Sequence, residues 1–80
     1  MANVQHINPM EQEYLSEVGC ALKKARNNAG YSAIFVSSYI DVSLRTYQRY
    51  EAGIAIPDTI DLLRLSRLYN LKPYYFLIIL

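Results

Sequence analysis

Three side chains near the middle of the sequence, Arg45, Gln48 and Arg49, carry groups that can hydrogen-bond to the edges of DNA bases. A guanidinium can donate two hydrogen bonds to guanine O6 and N7, and a glutamine amide can make two with adenine N6 and N7. Residues three or four positions apart share one side of an α-helix, so a helix here would present all three to one ligand. Taken without their surroundings, charges on such a face are more often simply solvated.

The charges are distributed unevenly along the chain, although the net charge is only +1. Residues 1 to 20 contain three acidic residues and no basic one, and residues 51 to 80 are balanced. Residues 21 to 50 contain five basic residues against one acidic residue. The basic excess therefore lies in the same part of the chain as Arg45 and Arg49, as expected of a nucleic-acid binder.

Length and composition predict one small globular domain, and no residue pattern predicts an enzymatic site in it. The chain has 80 residues, of which 52% are hydrophobic and 19% charged. Cys20 has no partner for an internal disulfide, and no secretory signal is recognisable, so we expect a cytoplasmic protein. The longest apolar run, Tyr74 to Leu80, is far shorter than the roughly 20 residues that cross a bilayer. His6 and Cys20 have no partners at metal-ligand spacing, and we expect no metal, cofactor, catalytic group or small-molecule ligand.

A long first helix is predicted to begin at Pro9 and to end at Gly30. Asn8 is a candidate N-cap, with Pro9 at the first helical position and Glu11 at the third. Gly19 weakens the middle of this helix by about 1 kcal/mol relative to Ala, which allows a break there. Residues 1 to 8 are predicted to form a flexible tail, and residues 9 to 80 a single domain.

Two short helices are predicted to follow, joined by a tight turn at residues 40 to 42. Ser32 caps the first, over Ala33 to Tyr39, and Ser43 caps the second, from Leu44 to about Glu51, which Ala52-Gly53 terminates. A fourth helix, capped by Asp58 or Thr59, extends through Tyr69, and a fifth begins at Pro73. The predicted fold is an all-α bundle of about five helices.

Apolar positions at helical spacing predict which faces turn inward. Tyr47 and Tyr50 share one face of the third helix, where a place in the core is favoured over stacking on bases. The other predicted inward residues are Met10, Tyr14, Val18, Ala21, Leu22 and Ala25 on the first helix, Val36 with Phe35 or Tyr39 on the second, and Leu62, Leu63, Leu65 and Tyr69 on the fourth.

The sequence from about Val18 to Leu77 resembles the lambda-repressor-like family of phage Cro and repressor proteins, also called the XRE family. This family has a helix-turn-helix fold and regulates transcription. The second helix of its helix-turn-helix motif lies in the major groove. The residues that carry the resemblance are Val18-Gly19, Leu22, Arg26, Gly30-Tyr31-Ser32, Val36-Ser37, Val42-Ser43, Tyr50-Glu51-Ala52-Gly53, Pro57, Leu62-Leu63 and Tyr69-Asn70-Leu71.

The resemblance implies a double-stranded DNA partner and assigns contacts to particular positions. It implies a structural ion pair between Arg26 and Glu51, which without it could be an ordinary surface pair. Phosphate contacts are expected at Ser32 and Ala33, where a helix begins, with Lys23, Lys24 and Asn27 adding to them. The implied base-reading residues are Ser43, Leu44, Arg45, Thr46, Gln48 and Arg49.

Three departures from the family pattern qualify this interpretation. Ala33 stands where the family usually has a phosphate-binding glutamine, and Asp41 stands where it favours glycine at the turn. Asp tolerates a left-handed backbone, so the second change is compatible with the fold. Ile54-Ala55-Ile56 replaces the basic residues that usually face the DNA backbone.

We therefore expect a homodimeric repressor or dual regulator that reads a pseudo-palindromic operator. The expected dimer interface is the apolar end of the chain, because an apolar patch there needs a partner; its residues are Tyr74, Tyr75, Leu77, Ile78, Ile79 and Leu80. The alternative is a protein-interaction module of the same fold, such as an antitoxin-like or anti-repressor partner, that does not read DNA. The apolar loop at Ile54 to Ile56 motivates that alternative.

Overall fold

The computed structural model describes residues 8–72, which form four α-helices and no strand. The helices are α1 (Pro9–Ala29), α2 (Ala33–Tyr39), α3 (Leu44–Ala52) and α4 (Thr59–Leu68). The predicted all-α class and the first four helices are confirmed over these residues. The predicted fifth helix and residues 1 to 7 of the predicted tail lie outside the described residues.

The helices begin and end at residues that their local capping patterns predict. Asn8 and Glu11 form a reciprocal capping box, in which the Glu11 amide donates to the Asn8 side chain at 2.8 Å and the Asn8 amide donates to the Glu11 carboxylate at 3.0 Å. Gly30 and Gly53 end α1 and α3 in the left-handed conformation, with φ of 76° and 75°. The side chains that cap α2, α3 and α4 are Ser32, Ser43 and Asp58.

One hydrophobic core joins the four helices, and it differs from the prediction at several positions. Met10 is 74% exposed, and Leu15, one turn further along α1, is buried instead. Phe35, Tyr39 and Leu63 are also exposed, at 46%, 43% and 45%, although the helical spacing predicts them inward. The core residues are Leu15, Val18, Leu22, Val36, Ile40, Tyr47, Tyr50 and Leu65, with Tyr14, Leu62 and Tyr69 packed against its edge.

α1 and α3 pack together at two glycines. A Cβ at Gly19 would lie 2.5 Å from the Glu51 carbonyl oxygen, and one at Gly53 would lie 3.1 Å from Ser16 Cα. α1 runs unbroken through Gly19, so the break that its helix propensity allows does not occur. Glycine stands there because the backbone of α3 approaches too closely for any side chain.

Candidate nucleic-acid interface

α3 has two faces with opposite roles. Tyr47 is completely buried and Tyr50 is 7% exposed, so one side of the helix belongs to the core. Arg45, Gln48 and Arg49 are exposed on the other side. Because the two tyrosines fix the rotation of the helix, the three polar side chains point together into solvent. The predicted division of α3 into a core face and a polar face is confirmed.

The first turn of α3 is closed by a pair of hydroxyl groups. The Thr46 amide donates to Ser43 Oγ at 3.0 Å, and Ser43 Oγ donates to Thr46 Oγ1 at 2.9 Å. The two hydroxyl groups are therefore hydrogen-bonded to each other at the start of α3. Leu44, beside them, is half-buried and offers only apolar contact.

The turn between α2 and α3 depends on two small features. Asp41 has φ of 62°, the left-handed conformation expected of the residue that replaces glycine there. Ser37 is buried, and its hydroxyl donates to the Ile34 carbonyl at 2.9 Å within α2. The Val42 amide donates to the Ser37 carbonyl at 3.0 Å, which closes the turn. The small Ser37 is thus buried where the chain turns from α2 towards α3.

Arg64 of α4 braces this turn from outside, a role that the sequence did not reveal. Its Nη1 donates to the Ile40 carbonyl at 2.9 Å. Ile40 is the C-cap of α2, so the guanidinium satisfies a carbonyl at the end of a helix, where the dipole also favours positive charge. No local pattern connects two residues that are 24 positions apart.

Arg26 and Glu51 tie α1 to the end of α3. The guanidinium Nε lies 2.6 Å from Glu51 Oε2 and Nη2 lies 3.1 Å from Oε1, so the pair is bidentate. The two side chains are only 16% and 11% exposed. Arg26 also donates to the Tyr31 carbonyl at 3.1 Å, and the hydrogen bond with Glu51 raises the Arg26 pKa. The pair is thus partly buried in the structure, which is the arrangement that the structural interpretation requires.

The two tyrosines of α3 are held as neutral phenols. Burial raises the pKa of Tyr47 far above its usual value, and the nearby Glu51 adds to the rise. Burial raises the pKa of Tyr50 to about 12, and its hydroxyl donates to Asp61 Oδ2 of α4 at 2.9 Å. This bond gives the buried Asp61 a polar partner and fixes the C-terminal half of α3 against α4.

The predicted phosphate-contacting residues lie on two neighbouring parts of the chain. Ser32 is exposed, and its Oγ accepts from the Phe35 amide at 3.0 Å, which leaves its hydroxyl hydrogen available; Ala33 beside it is half-buried. Lys23, Lys24 and Asn27 are exposed on α1 and line one shallow depression. Lys23, Lys24 and Asn27 therefore lie close to one another on α1.

The segment between α3 and α4 alternates between solvent and core. Ile54 and Ile56 are 55% and 62% exposed, whereas Ala55 packs against the core and Pro57 is buried. The loop thus exposes the apolar side chains of Ile54 and Ile56. Isoleucine offers no hydrogen bond or charge to a phosphate, so this edge of the surface differs chemically from the polar face of α3.

The remaining expectations concern the dimer interface, metal ions and the membrane. The expected dimer-interface residues Tyr74 to Leu80 lie outside them. Within residues 8–72, no group of three or more His, Cys, Asp or Glu side chains is arranged to hold a metal ion. None of the helices described here is long and apolar enough to cross a membrane.

The sequence of this chain is similar to those of known proteins. A family model described as "Helix-turn-helix" matches residues 22–76. The "HTH-type transcriptional regulator ImmR" of Bacillus subtilis (strain 168) is 37% identical over 60 residues, which are 75% of this chain and 47% of that protein. The chain thus spans about half the length of this curated relative. No solved structure matches the chain significantly.

Proposed function

This chain belongs to the Cro/XRE-type helix-turn-helix family, and from that premise we propose that it is a sequence-specific DNA-binding transcriptional repressor. The observation that carries the proposal is the fixed polar face of α3, where Arg45, Gln48 and Arg49 are exposed while Tyr47 and Tyr50 are locked in the core. We propose that this face enters the major groove and reads bases. Leu44 and Thr46 add an apolar contact and a hydroxyl donor, and Ser43 lies at the base-contacting end of the helix.

Phosphate contacts from the start of α2 and from α1 would position α3. The exposed Ser32 hydroxyl and the backbone of Ala33 at the start of α2 can donate to a phosphate oxygen. Lys23, Lys24 and Asn27 add positive charge and a polar group from α1. With alanine at position 33 in place of a longer polar side chain, this grip is weaker than the family pattern provides, so base contacts carry a larger share of the affinity.

A second copy is needed for useful specificity. α3 has nine residues and is therefore about 14 Å long, enough to follow roughly four base pairs. Two copies on a pseudo-palindromic operator, with half-sites about 10 bp apart, would read twice that number. We propose that the apolar residues 74 to 80 contribute to this homodimer.

Fluorescence anisotropy with labelled duplexes tests the proposal. Specific complexes should survive competitor DNA and weaken as salt rises. The reason is that lysine and arginine side chains displace salt cations from the phosphates when the protein binds, and added salt opposes this release. Arg45→Ala should weaken specific binding by about 1–3 kcal/mol. The control Arg45→Lys keeps the charge but not the two-pronged geometry, so it should keep the salt dependence and still lose base preference. No binding at any salt concentration would refute the proposal.

The rival proposal, a protein-interaction module that does not read DNA, has one observation in its favour. The exposed Ile54 and Ile56 offer an apolar contact to another protein. The same titrations distinguish the two functions. The rival requires that random and selected duplexes bind equally poorly and that Arg45→Ala changes nothing.

A further inference from the structure

α4 is hydrogen-bonded both to the turn before α3 and to α3 itself. Arg64 Nη1 donates to the Ile40 carbonyl oxygen at 2.9 Å, in the turn that precedes the N-cap Ser43. The Tyr50 hydroxyl, in the last turn of α3, donates to Asp61 Oδ2 at 2.9 Å. Asp61 and Arg64 are three residues apart and therefore lie next to each other on the surface of α4. We call these two hydrogen bonds the α4 clamp.

The groups that the α4 clamp joins are anchored in the core, except for the arginine side chain. Ile40 is completely buried, which fixes the backbone whose carbonyl accepts from Arg64. Tyr50 and Asp61 are only 7% and 6% exposed, and the Asp61 amide donates to Asp58 Oδ1 at 2.8 Å. Arg64 itself is exposed. Of the residues in the clamp, Arg64 can therefore be replaced without opening the core.

Base reading depends closely on the angle at which α3 is held. α3 has nine residues and is about 14 Å long. A rotation of about 10° about one end would displace the other end by about 2 Å, whereas hydrogen-bond lengths in proteins span only about 0.5 Å. A site that binds through several directed hydrogen bonds must therefore be held to within about 0.5 Å and 10–20°. Attachment near both ends of α3, as the α4 clamp provides, restrains such a rotation.

We propose that Arg64 is a positioning residue for base recognition by α3. It acts through the Ile40 carbonyl: when this bond and the bond from Tyr50 to Asp61 are both in place, the polar face of α3 meets the bases at the correct angle. The inference rests on the proposed DNA-binding function and adds to it a residue that acts without touching a base. A direct contact between the exposed Arg64 guanidinium and a phosphate is the competing explanation, and it differs in its salt dependence.

Fluorescence anisotropy of Arg64→Met, on a duplex obtained by in vitro selection and on a random duplex, tests the proposal. Methionine keeps an apolar stem but has no donor for the Ile40 carbonyl. The affinity for the selected duplex should fall about tenfold, while the random duplex should bind within about twofold of its affinity for the unsubstituted chain. The slope of log affinity against log salt concentration should stay unchanged, whereas loss of a phosphate contact would reduce it by about one.

Two variants control for the lost charge and the lost donor. Arg67→Met removes the same charge from an exposed position one turn further along α4, and it should bind both duplexes within about twofold of the unsubstituted chain. Arg64→Lys keeps a donor and should restore most of the affinity for the selected duplex. Urea unfolding sets the assay temperature, because every variant must be fully folded when its binding is measured.

The pattern of base preference distinguishes a positioning residue from a base-contacting one. In selection from a random pool, Arg64→Met should weaken the preference at several positions of each half-site, because the whole of α3 is displaced. Arg45→Ala should weaken it at one position.

Amide NMR spectra of the free protein give a readout that needs no DNA. Arg64→Met should shift the amide resonances of α3 over residues 44 to 49, as well as those of the turn at residues 40 to 42. Arg67→Met should leave both sets of resonances in place.

The outcomes separate this proposal from the one on which it rests. If the unsubstituted chain binds no duplex, the proposed function fails and the positioning role with it. If the unsubstituted chain prefers the selected duplex and Arg64→Met keeps that preference, only the positioning role is overturned. Equal losses on both duplexes, a salt slope reduced by about one, or amide shifts confined to residues 40 to 42 would also overturn it.

Discussion

Loss of the Arg26–Glu51 pair is predicted to remove much of the stability of this domain. Arg26→Ala leaves a carboxylate that is only 11% exposed without its bidentate partner. The substitution also removes the hydrogen bond to the Tyr31 carbonyl. Removing one partner of such a pair costs about 3–5 kcal/mol. The free energy of unfolding of a small domain is about 5–15 kcal/mol, so the variant should lie close to the limit of stable folding.

Urea unfolding followed by circular dichroism measures this cost. The transition midpoint should fall strongly while the slope of the unfolding free energy against urea concentration stays unchanged, because the surface exposed on unfolding is the same. Replacing both partners, by Arg26→Met with Glu51→Leu, removes the pair without stranding a charge, so it should cost no more than about 1–2 kcal/mol. Lys23→Ala, at an exposed position of α1, should change stability by less than about 0.5 kcal/mol.

Two results would contradict a structural role for the Arg26–Glu51 pair. A loss below about 1 kcal/mol for Arg26→Ala would mean that the pair behaves like a solvated surface pair. A double substitution as damaging as Arg26→Ala would mean that the cost comes from packing of the side chains rather than from the stranded carboxylate.

Two further predictions follow from the contacts of α3. Gly19→Ala should destabilise the domain by about 1–3 kcal/mol, because the new Cβ would lie 2.5 Å from the Glu51 carbonyl oxygen; urea unfolding should show this, with little change for Cys20→Ala at the next position. The Tyr50 pKa of about 12 lies above its value of 10.0 in an unfolded chain, so the folded state retains a proton that the unfolded state releases. This contribution is fully present below pH 10 and is lost by about 1.4 kcal/mol per unit as the pH rises towards 12. Tyr50→Phe should lack this part of the alkaline loss, whereas Tyr39→Phe, at an exposed phenol, should keep it.

A stabilising effect of Gly19→Ala would contradict the close packing of α1 on α3, since helix propensity alone predicts a gain of about 1 kcal/mol. If Tyr50→Phe followed the same decline in stability between pH 10 and 12 as the unsubstituted chain, the Tyr50 phenol would not be the group that is protected there.

The helix boundaries could be predicted because they depend on neighbouring residues. Asn8 with Glu11, Ser43 and Gly53 each act within one turn of their own position, and the structure places caps at all of them. The outward face of α3 was also predictable, because two large apolar-bodied residues three positions apart define which side is buried.

The features that the sequence missed depend on contacts between distant parts of the chain. Gly19 weakens an isolated helix, but in the fold it admits the backbone of α3. Met10 and Leu15 are both apolar at positions compatible with helical spacing, and only the tertiary fold decides that Leu15 is buried and Met10 exposed. The brace from Arg64 to the Ile40 carbonyl has no sequence signal, because nothing near either residue marks the other.

In vitro selection of duplexes from a random pool shows whether residues 32 to 53 read DNA. The unsubstituted chain should enrich a pseudo-palindrome with half-sites about 10 bp apart. Arg45→Ala should enrich the same spacing but lose its preference at one base pair of each half-site, equivalent to about 1–3 kcal/mol. A pool that remains random would contradict DNA reading by residues 32 to 53. A sequence profile that Arg45→Ala leaves unchanged would contradict the base-reading role of Arg45.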